Sequence, residues 1–414
     1  MLKSMMKRCH KDVRNVASVS KIKMCSACGA CVALCPNNSI SFKKSSLGRL
    51  HAVVGSTCVD CGLCLKVCPS ITTDKNSEDY FNLEKKDIVV AKATDANILI
   101  NGQSGGTVTA ILAYLLRTKK IEAAFLCRSD VNGDGRPFVV SDESQLSFCQ
   151  KSSYVQLPLL SEISQLKSYS SVAVVGLPCH LAGLVNILKI KKIPVKYKLG
   201  LICDRTLCGT ISDGIRRYLN TSDDVVIKWR DKNAEGYSYK NAPISVTMPD
   251  GEVRIIKSGV RQKLKGMYTP PRCLVCPDKL NISADLVFGD PWNIHNDDRV
   301  GASLVIANNS CGYDLLQEVA QNDLSVIRRC TSGELNDSQH ISERACQVGL
   351  YSRMLSDRNN QFCFLMTQKL EAGESKMEYL RALFNIGRFK LLEALPLNWV
   401  ADYTARQIKR LNDE

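Results

Sequence analysis

Two cysteine runs constrain the fold of this 414-residue chain more than any other feature. They read CSACGACVALCP at Cys25–Pro36 and CVDCGLCLKVCP at Cys58–Pro69, each with the spacing C-x₂-C-x₂-C-x₃-C-P. In that series three closely spaced thiolates hold three corners of a cubane 4Fe–4S cluster, and the fourth crosses to a second cluster. One cluster is therefore expected on Cys25, Cys28, Cys31 and Cys68, and the other on Cys58, Cys61, Cys64 and Cys35. Gly29 and Gly62 follow the second cysteine of each run, where a missing side chain lets the backbone fold tightly around a cluster. Pro36 and Pro69 turn the chain away after the crossing ligand. Structural zinc would instead pair C-x₂-C units at four ligands per site. The runs predict an electron-carrying module.

Composition narrows its setting. Twenty cysteines would form disulfides in an oxidising compartment, yet eight lie in the cluster runs. The amino terminus is charged and lacks an apolar signal core, so a reducing, cytoplasmic location is expected. No stretch is apolar for long enough to span a bilayer. With 45% apolar residues the chain has enough material for two or three domains. The net charge is +14. Lys3, Lys7, Arg8, Lys11, Arg14, Lys21 and Lys23 meet only Asp12 in the leading segment, and Lys189, Lys191, Lys192, Lys196 and Lys198 include no acid. Such clusters are usually solvated surface. As steering groups they would attract flavin phosphates, an anionic small-molecule substrate, or an acidic ferredoxin or other redox protein. Nucleic acid is disfavoured: aromatic residues make up 6% and no recognition motif occurs.

In chain order, residues 1–20 read as a mobile basic arm and residues 21–75 as an α+β, ferredoxin-like two-cluster domain. Its short strands are expected near Ser39–Phe42 and Leu50–Val54, around a turn at Gly48. Thr72–Glu84 is polar and aperiodic, a linker. A second domain opens near Lys86 with a strand, Ile88–Ala93, and then NGQSGG at Asn101–Gly106. Val108, Ile111, Leu112, Leu115 and Leu116 follow at helical spacing. A Gly-rich loop opening a helix is either an anion site or a tight turn, and this one matches neither the Walker loop nor G-x-G-x-x-G. Ile121–Cys127 reads as a buried strand, and DVNGDG at Asp130–Gly135 as a surface turn, because Ser141 stands where a calcium loop needs its bidentate acid.

Ser171–Val175 is an apolar strand running into GLPCH (Gly176–His180), a helix follows, and Val195–Ile202 is a second strand. This order predicts a parallel crossover, with Cys179 and Cys203 emerging at the carboxyl ends of neighbouring strands, where open sheets bind ligands. Ile244–Met248 and Glu252–Ile256 read as a hairpin. A further C-x-x-C lies at Cys273 and Cys276, ambiguous between a redox disulfide, half a zinc site and half a cluster. Cys179 with Cys203, or with Cys208 as the competing fourth ligand, would complete a third cubane. Beyond Ser332 the sequence shows only amphipathic segments near Glu378–Phe389 and Leu397–Leu411, expected to be helices that cover a core. His10, His51, His180, His295 and His340 lack metal-ligand spacing, and His295 beside Asp290 is a candidate proton donor or a structural histidine.

The segments SGGTVTAIL, KSSYVQ, VVGLPCH, LGLIC, WRDKNAEGY and RCLVCPDKLNISADLVFGDPW occur in an order and spacing similar to the coenzyme F420 hydrogenase/dehydrogenase beta-subunit family. The resemblance runs from about Lys86 to about Ala320. It implies an α/β domain with an open, largely parallel or mixed sheet, divided into an FAD-binding part over residues 86–165 and a part with the third cluster over 166–335, with a helical tail at 336–414. It places Ser104, Gly105, Gly106 and Thr107 on FAD, and Lys151 to Tyr154, including Ser153, along the flavin. The third 4Fe–4S cluster would fall on Cys179, Cys203, Cys273 and Cys276. The chain departs from common relatives in reading GLPCH rather than GTPCQ, and in placing Asp204 after Cys203.

The expected chemistry is that of an iron–sulfur flavoprotein. FAD would exchange a hydride with a two-electron substrate, such as the deazaflavin F420, and pass single electrons through the clusters to a carrier. Lys151, Arg230, Lys232 and Arg272 are candidates to stabilise a reduced anionic flavin or clamp an anionic substrate, and Asp290 to move a proton. The chain is either a complete enzyme, alone or as a homo-oligomer, or an electron-input subunit of a larger complex.

Overall fold

The computed structural model describes residues 14–72, 80, 82–84, 86–295, 299–355 and 376–414. The cysteine-rich module is a small α+β unit. Its hairpin pairs β1 (Ile40–Lys44) antiparallel with β2 (Leu50–Val54). Gly29 (φ +94°) and Gly62 (φ +73°) sit in the left-handed region just before the short helices Ala30–Ala33 and Leu63–Val67. That backbone is easily reached only without a side chain. Residues 1–13 of the expected basic arm and most of the expected linker lie outside the described residues. The rest of the arm is not free: Val16 and Val19 are buried, and Ala17–Lys21 is helical.

The main body is one eight-stranded mixed sheet. It contains β3 (Asp87–Ala93), β4 (Ala123–Ser129), β5 (Gly135–Val140), β6 (Val172–Gly176) and β7 (Val195–Leu201). Three further strands, β8 (Val226–Lys228), β9 (Ile244–Thr247) and β10 (Val253–Ile256), form a separate antiparallel sheet that includes the expected hairpin. The large sheet is completed by β11 (Leu286–Gly289), β12 (Ser303–Ala307) and β13 (Leu324–Arg329). Its order is β13-β3-β12-β11-β7-β6-β4-β5. The four strands β11, β7, β6 and β4 run parallel, and antiparallel pairs close both ends. The parallel crossover expected between Ser171 and Ile202 is present as β6, the helix Pro178–Leu188 and β7. Residues 86–165 and 166–335 thus share a single sheet.

Strand periodicity divides the interior. Ile88, Val90, Ala123, Phe125, Val172, Val174, Leu304 and Ile306 point into one core, and their neighbours Val89, Ala91, Ala124, Leu126, Ala173, Val175, Val305 and Ala307 into another. Each residue step in a strand reverses the face, so a strand buried on both sides reads as continuous apolar sequence. The second core is covered by the helices Thr107–Arg117 and Ser310–Val319. The first is covered by Pro178–Leu188 and by the cysteine module itself, through Cys28, Ala30 and Val67.

The module is docked closely. The Leu160 amide donates to the Cys28 carbonyl at 2.9 Å. A side chain at Gly29 would lie 2.3 Å from the Ser161 nitrogen, and one at Gly48 2.4 Å from that of Thr210. The tail forms the helices Ile341–Leu355, Lys376–Ala394 and Leu397–Asp413. Phe389, Leu392, Val400, Ile408 and Leu411 complete a third core with Leu207, Ile211, Trp229, Leu264 and Tyr268. The tail helices therefore cover core, as their amphipathic pattern predicted. Among the described residues no helix is long and apolar enough to cross a membrane.

Candidate functional site: a cavity beside the carboxyl ends of the parallel strands

Parallel strands deliver the residues that follow them to one edge of a sheet. Past β6 come Leu177, Cys179 and His180, past β7 come Cys203 and Asp204, and past β11 comes Asp290. Antiparallel β12 begins at the same edge with Ser303, whose partner in β3 is Ala91. The loop Asn101–Gly106 returns there. These elements enclose a cavity of about 600 Å³ lined by residues of the loop, of Gln150–Val155 and of all three strand ends.

The loop is held rather than free. Gly105 donates its amide to Ser303 Oγ at 3.1 Å, and its carbonyl accepts from the Ala93 amide at 2.8 Å. An added Cβ at Gly105 would meet the Ser303 nitrogen at 2.6 Å and the Ala91 oxygen at 2.8 Å. Gly105 does not line the cavity, unlike Ser104, Gly106 and Thr107. Its glycine is required by the sheet behind it. Gly106 (φ +71°) precedes the helix Thr107–Arg117. Among the polar atoms on the wall that are buried without a hydrogen-bond partner among the described residues are Gln103 Oε1, Thr107 Oγ1 and Lys151 Nζ. Buried polar atoms are normally paired, so this trio suits a polar ligand. Burial lowers the Lys151 pKa, and the Asp231 carboxylate acts against that shift.

Arg230 and Asp290 meet on the cavity wall. Their ion pair is 2.7 Å long, the guanidinium also donates to the Tyr239 carbonyl at 3.2 Å, and its Nη1 lies 3.5 Å from the Tyr154 hydroxyl. It lies 5.3 Å from the Trp292 ring centroid, and Trp292 stacks on Tyr239 at 5.5 Å. Burial opposes the Arg230 charge, but Asp290 and Tyr154 together outweigh it and raise the pKa further. Ser153 donates to the Gly133 carbonyl at 3.3 Å, and Tyr154 packs against Trp229.

Two expected substrate-side residues stand elsewhere. Lys232 donates to the carbonyls of Leu99, Ser104 and Val300 at 2.7–2.8 Å, so it braces the loop from behind. Arg272 is buried and absent from the cavity wall; it donates to Ser70 Oγ at 3.0 Å and to the Val275 carbonyl at 3.4 Å. That position lies between the cysteine module and the C-x-x-C segment. His180 is a structural histidine. Its Nδ1 accepts from the Leu177 amide at 3.2 Å, Nε2 faces the Leu157 carbonyl at 3.0 Å, and burial lowers its pKa to about 4.

The cysteines gather in three groups. A second, smaller cavity is lined by Cys35, Cys58, Cys61 and Cys64, the crossed set expected from the spacing. The backbone amides of Ser39 and Asp60 point at Cys35 Sγ (3.2 Å) and Cys58 Sγ (3.4 Å). Cys25, Cys28, Cys31 and Cys68 act electrostatically on one another, and burial raises the thiol pKa of Cys28 to about 11 and those of Cys31 and Cys68 further. Cys179, Cys203, Cys273 and Cys276 form the third group, and Cys28 is close enough to act on Cys179. Cys208, the competing fourth ligand, is fully buried in the third core, and Cys273 acts on it as well. No three of the described His, Cys, Asp or Glu side chains converge as they would on a single metal ion. A cubane takes one thiolate on each of four irons, and each group brings the four cysteines that one cluster needs.

Sequence reasoning missed a collar of cations around the third group. Arg344 donates to the carbonyls of Cys273 (2.6 Å) and Cys276 (3.0 Å). Lys265, Lys279 and Arg205 join Cys203 on the wall of the large cavity. Burial presses the ammonium groups of Lys265 and Lys279 down to about 8. No local motif announces these residues, which come from four distant segments.

An α/β sheet with a cavity at its carboxyl edge, fused to a 4Fe–4S dicluster domain matched over residues 24–71, defines an iron–sulfur protein of redox type. Residues 88–164 match the coenzyme F420 hydrogenase/dehydrogenase beta subunit N-terminal domain, and residues 169–331 match its C-terminal domain. These matches span more than half of the chain, which belongs to that beta-subunit family. An uncharacterized protein of Methanocaldococcus jannaschii is 26% identical over 338 residues, 72% of this chain and 87% of its own length. The F420-dependent formate dehydrogenase 1 subunit beta of Methanococcus maripaludis is 24% identical, covering 56% of this chain and 58% of that protein. A chain of the F420-reducing NiFe hydrogenase complex from Methanosarcina barkeri superimposes with a TM-score of 0.49 at 19% identity, covering 64% of this chain and 91% of that one.

Proposed function

We propose that the chain is an iron–sulfur flavoprotein oxidoreductase that exchanges a hydride with a small two-electron substrate, F420 or another anionic molecule, and single electrons with a protein carrier. The observation that carries this reading is the shared wall: Cys203 lines the large cavity and also belongs to the third cysteine group, which adjoins Cys28 of the module. A redox cofactor in the cavity would stand beside one cluster, and the remaining groups would lead outward to exposed Cys61.

FAD, when bound, would supply the chemistry that divides a two-electron exchange into single electrons. Gln103, Thr107 and Lys151 would hold its polar groups, the Ser104–Thr107 turn and Ser153–Tyr154 would shape its bed, and Arg230 would present fixed positive charge. Asp290, paired with Arg230, is the acid closest in character to a proton-transfer group on that wall. Arg261, Lys265 and Lys279 on the same wall support an anionic substrate. Cys25, Cys28, Cys31 and Cys68, then Cys35, Cys58, Cys61 and Cys64, then Cys179, Cys203, Cys273 and Cys276 would each hold a 4Fe–4S cluster.

The alternative role, an electron-input subunit of a larger complex, is favoured by the subunit name of the formate dehydrogenase relative and by the exposed Phe384, Leu391 and Trp399 of the tail. Anaerobic purification with flavin, iron and sulfide quantitation, followed by assay with reduced F420 and with NAD(P)H, tests the proposal. One FAD and about twelve irons per chain are expected, at about four per cluster. Absence of flavin from a fully iron-loaded protein would overturn it. Turnover of a dye by the isolated chain would favour the complete enzyme over the subunit.

A further inference from the structure

Arg272 occupies a position that the cavity chemistry does not use. It is 5% exposed and wedged where two cysteine groups adjoin. On one side it donates to Ser70 Oγ, two residues beyond Cys68, and Ser70 in turn donates to the Met24 carbonyl beside Cys25 at 2.7 Å. On the other side Arg272 precedes Cys273 in the chain, and it donates to the carbonyl of Val275, the residue before Cys276. A single buried guanidinium is thereby tied to the backbone or side chains flanking ligand candidates of both groups. Its charge acts on Cys68 and is in turn sustained by Cys276, Cys273 and Cys179.

We infer that Arg272 is a positioning residue whose fixed charge, anchored between the Cys25/Cys28/Cys31/Cys68 and Cys179/Cys203/Cys273/Cys276 groups, raises the reduction potentials of both clusters together and leaves the outer cluster unmoved. The inference rests on the proposed reading that each group holds a 4Fe–4S cluster. The physics is direct. Reduction adds one electron, and hence one negative charge, to a cluster, with no bond made or broken. A buried cation nearby stabilises that added charge, and a low-dielectric surrounding screens it weakly. Net charge, hydrogen bonding and burial are the levers a protein has on such potentials. A guanidinium is suited to the place because it keeps its charge when buried and offers several donors in a fixed fork. A shift common to both clusters leaves the difference between their potentials, and so the driving force for transfer between them, unchanged.

The test is a mediated dithionite titration of the anaerobically purified full chain, followed by the paramagnetic resonance of the reduced clusters, for wild type, Arg272→Gln and Arg272→Lys. Arg272→Gln should shift two of the three midpoint potentials to more negative values and leave the third in place. Arg272→Lys, which keeps the charge, should return both toward wild type. Three unchanged potentials in Arg272→Gln, or an equal shift of all three, would overturn the inference. If Arg272→Gln loses iron, Arg272→Lys decides. Full iron with wild-type potentials supports the charge role, and loss of iron there too makes the guanidinium a scaffold and overturns it. Wild-type protein with about eight irons would instead remove the third cluster, and the parent reading with it, before any variant is compared.

Discussion

Replacing Cys203 and Cys208 separately by alanine distinguishes a cluster ligand from a core thiol five residues away. Cys203 leaves β7 at the cavity wall and shares its electrostatic surroundings with Cys273 and Cys276. Cys208 is 0% exposed, its amide donates to the Tyr268 carbonyl at 2.7 Å, and its side chain packs in the third core. Loss of Cys203 should remove one cubane, lowering iron from about twelve to about eight per chain, with a matching fall in sulfide. Loss of Cys208 removes only a small buried side chain, a cost of about 1 kcal/mol and no iron. Iron and sulfide analysis after anaerobic purification, with circular dichroism to confirm that both variants fold, reads the difference. Iron loss in Cys208→Ala but not in Cys203→Ala would refute the assignment and the route from the cavity through Cys203.

Two further predictions concern the supports of the site. Gly105→Ala should lower thermal stability even in flavin-free protein, because the new methyl meets the Ser303 and Ala91 backbone; a fully stable variant that merely loses flavin would show that the loop contacts the cofactor instead. Glu393→Gln should loosen the module from the tail, because Glu393 pairs with Lys23 and, at 2.8 Å, with Arg49. Removing one member of so buried a pair costs about 3 kcal/mol. Burial opposes the Glu393 charge, but the bonds and charges of Lys23 and Arg49 outweigh it and depress its folded pKa. Its stabilisation is therefore present above the ordinary glutamate range and lost as pH falls through the depressed value. Denaturation followed against pH should show wild type and variant converging in acid; a constant gap would refute the linkage.

What could be read in the sequence were features written into neighbouring residues. The crossed set Cys35, Cys58, Cys61 and Cys64 lines one cavity as the spacing alone predicted. The β6–helix–β7 crossover and the hairpin β9–β10 followed from apolar runs and turn residues. The roles of the cations did not follow, because they depend on distant contacts. Lys232 looked like a free cation beside Arg230, yet three carbonyls from separate segments hold it. Arg272 looked like a candidate for the substrate side, as a positive group that could clamp an anion, yet its guanidinium turns toward Ser70. Gly105 looked like a residue for approaching a phosphate, but the backbones of β3 and β12 account for it. Arg344 lies in a tail whose sequence carries no motif, and only the fold brings it to the C-x-x-C carbonyls.

The same contacts change the meaning of the net charge. An excess of +14 reads at sequence level as a surface that steers anions. Arg49, Arg230, Lys232, Arg272 and Arg344 are nevertheless among the buried residues. An uncompensated buried cation is costly, and a chain retains one only where an anion or a set of carbonyls meets it. Glu393 meets Arg49, Asp290 meets Arg230, and carbonyls meet Lys232. Arg344 donates to the Cys273 and Cys276 carbonyls and Arg272 to that of Val275, all beside the third cysteine group, while the Arg344–Asp204 contact is 4.0 Å long. A four-thiolate cluster is itself a buried anion of the required sign. On the proposed reading, part of the basic excess is therefore internal counter-charge for a redox centre, and only the remainder is available to attract a carrier from solution.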